Sequence, residues 1–178
     1  MKVIWLCFCL CISLYVKVHA SDLLTLLQKT AGVYVDSTKS IGELKQTVLV
    51  TGCNHGFINQ LLNFKCFADR LGMKFLVIAM DRKAHEFISK NTTMTSYLMT
   101  GGAVDEVTGV AQTFRSTGFN LITARKKEAV HNILKLGFHV IFSDTDVAMI
   151  QDAVPYMMWQ NVDYVHSLNY MCTVLVLP

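Results

Sequence analysis

Between residues 47 and 146 short β-branched apolar runs alternate with longer stretches whose apolar residues recur at helical spacing. Thr47 to Cys53 (TVLVTGC) predicts a first core strand. Phe57, Leu61, Phe64, Ala68 and Leu71 then form one stripe at steps of four and three, and Arg70 and Gly72 supply helix-stop signals. Lys74 to Met80 (KFLVIAM) predicts the next strand, closing at Asp81, and a further helix is expected over Lys83 to Lys90. Residues 91–120 are polar, glycine-containing and weakly periodic, and read as a variable insert with short elements. From Thr123 a clear helix is expected to run to Leu136 with Val130, Ile133 and Leu134 on its inner side. Gly137 closes it before the strand Val140-Ile141-Phe142, which leads to Asp144. Outside this stretch, residues 21–46 read as a helix and a polar connection. A short helix around Pro155 to Gln160 and a strand over Val162 to Ser167 are expected towards the C-terminus.

One unit therefore occurs twice: helix, Leu-Gly, apolar strand, Asp. Leu71-Gly72 leads to Asp81, and Leu136-Gly137 leads to Asp144. Strands alternating with helices imply right-handed crossovers and an α/β fold, a mostly parallel sheet with helices on both faces. The 178 residues and 52% hydrophobic content suit one domain with a real core.

Residues 1–20 change the picture of where the chain acts. Lys2 is followed by an uncharged apolar run from Val3 to Val16 and by Val18-His19-Ala20, the pattern of a secretory signal. The run is shorter than the roughly 20 residues of an ordinary membrane span. It is expected to be cleaved, or else retained as an anchor tethering the chain through residues 3–16. Asn91-Thr92-Thr93 is a glycosylation sequon and agrees with lumenal or extracellular exposure. After residue 20 the chain carries 14 basic against 13 acidic residues, so no basic field points to nucleic acid. Cys7, Cys9 and Cys11 fall in the leader. Cys53, Cys66 and Cys172 remain, an odd number without metal-ligand spacing, so neither a disulfide framework nor a zinc site is expected.

The candidate chemistry centres on Phe138 to Asp146 (FHVIFSDTD), where the strand breaks off at two carboxylates. Open α/β sheets bind ligands at the carboxyl ends of their strands. In an extended chain residues i and i+2 point the same way. Asp144 and Asp146 can then aim at one hard cation, Mg²⁺ or Mn²⁺ holding a diphosphate, while Thr145 faces elsewhere. The Thr51 to Gly56 loop (TGCNHG) offers backbone N–H groups at a helix start. With Asp81 closing the next strand it is similar to the cofactor loop of short-chain dehydrogenases. It departs at Ile58, where their third glycine stands, and in lacking a Tyr-x-x-x-Lys pair. Arg125, Lys126 and Lys127 fall in the expected first turn of the helix from Thr123, where the macrodipole disfavours cations, so either a solvated face or a phosphate contact explains them. His139 reads as a packed strand residue. His85-Glu86 lacks the second histidine of a zinc-protease helix, and Ser143 lacks a Gly-x-Ser-x-Gly elbow.

TVLVTGCNHGFINQLLNFKCFADRLGMKFLVIAMD and FNLITARKKEAVHNILKLGFHVIFSDTDVAMIQD together resemble the nucleotide-diphospho-sugar transferase family of retaining glycosyltransferases with a Rossmann-like GT-A fold. The resemblance covers residues 47–169 and is most specific in LKLGFHVIFSDTDVAMIQD. It implies that residues 47–178 form the transferase domain, moving a sugar from a nucleotide-diphosphate donor to a glycan or glycoprotein acceptor with retention. Asp146 would ligate Mn²⁺ or Mg²⁺, and Asp144 would contact the ribose or share the ion. Thr51, Gly52 and Asn54 would line the nucleotide pocket, and Lys126 would touch phosphate; no catalytic residue is assigned. The expected setting is the secretory pathway, in the Golgi lumen or membrane, or secretion. The chain has Asp152-Ala153 in place of an Asp-Pro, and Ser167-Leu168-Asn169-Tyr170 rather than the family's Asn-Thr-Gly, and ends at Pro178. These departures predict an incomplete acceptor half. The alternatives are an NAD(P)-binding dehydrogenase and a non-catalytic degenerate transferase module.

Overall fold

The computed structural model describes residues 22–31, 47–99, 110–113 and 115–152. Residues 1–20 with the expected signal, the sequence beyond Asp152 with its expected helix and strand, and Cys172 lie outside the described residues. A helix α1 covers residues 22–30. It is followed in the described chain by β1 (Thr47–Cys53), a short 3-10 turn (His55–Phe57) and α2 (Ile58–Arg70). Then come β2 (Phe75–Ala79), α3 (Arg82–Asn91), β3 (Thr95–Leu98), α4 (Thr117–Lys135) and β4 (His139–Phe142).

The four strands form one all-parallel sheet in the order β3-β2-β1-β4. From β1 the chain steps to β2 and β3 in one direction, then crosses back to place β4 on the other side of β1. A right-handed crossover that reverses direction must carry its helix over the opposite face of the sheet. The packing agrees: α2 and α3 cover one face and α4 covers the other with α1. On the first face Leu61, Phe64 and Ala68 of α2 and Ile88 of α3 pack against Leu49, Phe75, Val77 and Ala79. On the second, Leu23 and Leu27 of α1 and Ala129 and Ile133 of α4 pack against Val48, Val50, Leu76 and Ile78. Strand β1, central and covered on both faces, is buried along its whole length. Each fully buried aliphatic here contributes about 1.5–3 kcal/mol, and the Phe64 and Phe75 rings meet edge to face at 5.1 Å.

Both Leu-Gly pairs end helices through the left-handed conformation that glycine adopts without penalty: Gly72 has φ 66° and Gly137 φ 84°. After α2, Met73 N–H donates to Ala68 and Gly72 N–H to Asp69, which satisfies carbonyls the helix leaves open. After α4, Gly137 N–H donates likewise to Leu134. The next residues, Met73 and Phe138, turn into the core.

Two expectations are corrected. Helix α4 starts at Thr117, not Thr123, because Ser116 caps it by accepting from Phe119 N–H at 3.1 Å; Gly118 and Asn120 conceal that turn in the sequence. Its buried stripe is Arg125, Ala129 and Ile133, and Leu134 is 51% exposed. Strand β3 is one of the short elements expected within residues 91–120. It is a half-buried edge strand of four residues, too short for its pattern to show.

Candidate functional site at the β1–β4 switch point

The strand order reverses between β1 and β4, so the crevice at their carboxyl ends is where an open parallel sheet of this order receives a ligand. Register sets what stands there. Val50 pairs with Phe142, and Ser143 N–H donates to the Val50 carbonyl at 3.0 Å. Two residues further along each chain come Gly52 and Asp144. Lys126 joins them from α4. Its Nζ lies 2.5 Å from Asp144 Oδ1 and 5.9 Å from the Phe142 ring centroid. The absent side chain at Gly52 makes this approach open: a Cβ there would stand 3.3 Å from Lys126 Cγ and 2.8 Å from Met80 Cε. The Asp144 side chain is 55% exposed and that of Lys126 27%.

Asp144 and Asp146 are not carried on extended chain as expected. Strand β4 ends at Phe142, and Val147 N–H donates to the Asp144 carbonyl at 3.3 Å, so the two aspartates sit in a turn. Both are exposed while Thr145 between them is buried. Among the described residues no three His, Cys, Asp or Glu side chains gather into a metal cage. Two exposed carboxylates fit a hard ion such as Mg²⁺ or Mn²⁺ that is completed by diphosphate oxygens and water.

The basic trio also differs from expectation. With α4 starting at Thr117, Arg125 to Lys127 lie in its third turn, beyond the unfavourable end of the helix dipole. They separate around the helix. Arg125 is buried and pairs with Glu128 at 3.0 Å, Lys127 is exposed, and Lys126 turns to Asp144.

The other expected site residues divide. Thr51 lies on the β1 face of Leu49 and Cys53, opposite to Gly52, and its hydroxyl is buried without a hydrogen-bond partner among the described residues. Asn54 is buried at the end of β1, and its Nδ2 donates to the Val110 carbonyl at 3.1 Å. Gly56 packs on the same short segment, since a Cβ there would come within 2.3 Å of Ala111 N. No sequence pattern signals this contact, because Asn54 and Val110 are 56 residues apart. The Cys53 thiol is pushed up to about 12, first by burial and then by the nearby Asp81 charge, so it stays protonated and unreactive. His139, expected to be packed, is exposed on β4.

Asp81 is structural. It is 5% exposed; Oδ1 accepts from Ala84 N–H at 2.8 Å, capping α3, and Oδ2 accepts from His55 N–H at 2.7 Å. A dehydrogenase needs its acidic residue free at this position for a ribose. This carboxylate is committed to the backbone.

The family described as nucleotide-diphospho-sugar transferase matches residues 71–171, more than half of the chain, and the match contains Lys126, Asp144 and Asp146. A UDP-galactose:fucoside alpha-3-galactosyltransferase of Dictyostelium discoideum is 26% identical over 128 residues, covering 58% of this chain. The chain spans about a fifth of that relative's length, 20%. No solved structure matches.

Proposed function

The chain belongs to the nucleotide-diphospho-sugar transferase family, and we propose that its β1–β4 crevice binds a nucleotide-diphospho-sugar and serves transfer of the sugar to a glycan or glycoprotein. The observation that carries this reading is the meeting of Gly52, Lys126 and Asp144 at the reversal of strand order. Asp144 and Asp146 would hold a divalent ion. The ion, when bound, supplies Lewis-acid neutralisation of the departing nucleoside diphosphate and orients it. Lys126 would add charge-assisted hydrogen bonding to the same phosphates. Gly52 leaves the strand end open to the donor. Retention at the anomeric carbon is part of the proposal, supported by the family resemblance. The leader and the sequon at Asn91, exposed at the end of α3, support action in the secretory pathway, in the Golgi or beyond it. Among the described residues no helix is long and apolar enough to cross a membrane.

Thermal melting of the full chain tests the reading. UDP is the first nucleotide to try, since the relative's name specifies UDP-galactose. The expected result is a raised melting temperature only when UDP and Mn²⁺ are present together. A shift with NAD and no metal, or none with UDP and Mn²⁺, would contradict it.

A further inference from the structure

We propose that Lys126 is the resident cation of the donor crevice: it occupies Asp144 while no metal is bound, and leaves it for the donor's diphosphate when a divalent ion arrives. This rests on the donor-site reading above and adds an exchange which that reading does not require.

Three contacts fix the lysine in its resting place. Its stem crosses β1 at Gly52, with Cγ and Cε 3.3 and 3.7 Å from the point a Cβ would occupy. Its Nζ faces the Phe142 ring at 5.9 Å and touches Asp144 Oδ1. An ammonium on Oδ1 takes one of that carboxylate's acceptor positions and offsets the negative charge that would attract a metal ion. Two cations sharing one carboxylate repel each other, so each weakens the other's hold on Asp144. The pair is exposed enough that its strength is modest, which makes the exchange reversible. Once displaced, the ammonium keeps its α4 anchor and a flexible four-carbon stem. The phosphate oxygens of an incoming nucleotide diphosphate then become its acceptors.

Lys126 thus contributes with opposite sign to two equilibria. It opposes the ion alone and favours the ion together with a diphosphate, so metal and donor bind as a unit. The surroundings support this. Gly52 has no side chain where the stem must pass, and Arg125, the neighbouring cation, is paired with Glu128.

The test compares the full chain with Lys126→Met, which retains an apolar stem over Gly52. Mn²⁺ alone is titrated by the electron paramagnetic resonance of the free ion, and UDP by calorimetry at saturating Mn²⁺. Without the competing ammonium, Mn²⁺ alone is expected to bind about two- to fivefold more tightly. UDP with Mn²⁺ is expected to bind about tenfold more weakly. Unchanged or weaker binding of Mn²⁺ alone overturns the exchange. Should Lys126→Met fail to fold, Gly52→Ala crowds the stem against flexible side-chain atoms only and is expected to tighten Mn²⁺ alone in the same direction. No tightening there overturns the proposal equally. Wild-type protein that takes up neither Mn²⁺ nor UDP contradicts the donor-site reading itself. Wild-type binding of both with no change in the variants contradicts only the exchange.

Discussion

Asp81 and Asp144 end two copies of the same sequence unit and have opposite fates. Each comes after a helix closed by Leu-Gly with a left-handed glycine, then a core strand, and each stands two residues past its strand's end. Asp81 is buried with both oxygens on backbone N–H groups, whereas Asp144 is exposed and meets side-chain charge in Lys126. The element after the strand decides between these fates. After β2 a helix starts immediately, so its Ala84 N–H captures one carboxylate oxygen, and His55 N–H of the turn after β1 takes the other. After β4 comes a turn, and the carboxylate remains outside. Sheet order reinforces the difference, because β2 lies between β1 and β3 while β4 borders the reversal point. One local pattern therefore yields a structural cap in one place and a candidate ligand group in the other.

The contrast can be broken by substitution. Asp81→Ala leaves two backbone N–H groups without their acceptor and is expected to cost about 2–4 kcal/mol of stability, read by denaturant unfolding. Asp144→Asn, which removes only an exposed ion pair, is expected to change stability by less than about 1 kcal/mol. Equal losses would erase the distinction. The glycines common to both units should respond alike: Gly72→Ala and Gly137→Ala each meet open space but force a positive φ, at a cost of about 1–2 kcal/mol. The smallest expected effect concerns His85, on the helix that Asp81 caps and 3.0 Å from Ser96 Oγ of β3. Burial foremost, with Arg82 adding and Glu86 opposing, holds its pKa below the ordinary 6.5. The unfolded chain then protonates first, so this contribution is full above pH 6.5 and is lost as pH falls towards the folded-state value. His85→Gln should shallow that decline in melting temperature.

Much of the fold is legible in the sequence because local signals and tertiary structure agree. Strand β1 occupies the seven residues its pattern indicates, and Leu61, Phe64 and Ala68 of the expected α2 stripe are buried, with Phe57 and Leu71 half-buried at its ends. Where legibility fails, a tertiary contact overrides the local signal. The first turn of α4 contains Gly118 and Asn120, poor helix formers, yet Ser116 caps it and Gln112 packs on the glycine. With that turn hidden, the basic trio looks like a helix start and invites a dipole explanation that the true start removes. At the site, the strand-end position of Asp144 is readable, but the contact that Lys126 makes with it is not. The partition between Asp81 and Asp144 is not, because a carboxylate's availability depends on which N–H groups surround it in three dimensions. Thr51 and Gly52 show the same limit: adjacent in sequence, they face opposite sides of the sheet.

Calorimetric titration of the full chain with UDP in Mn²⁺, for wild type and for an Asp144→Asn variant of matched melting temperature, tests the donor crevice most directly. Saturable binding by the wild type, abolished by chelating the metal and weakened at least about tenfold in the variant, is the expected result. Undiminished binding by Asp144→Asn, or binding that survives chelation, would contradict a metal-diphosphate site at the β1–β4 switch point.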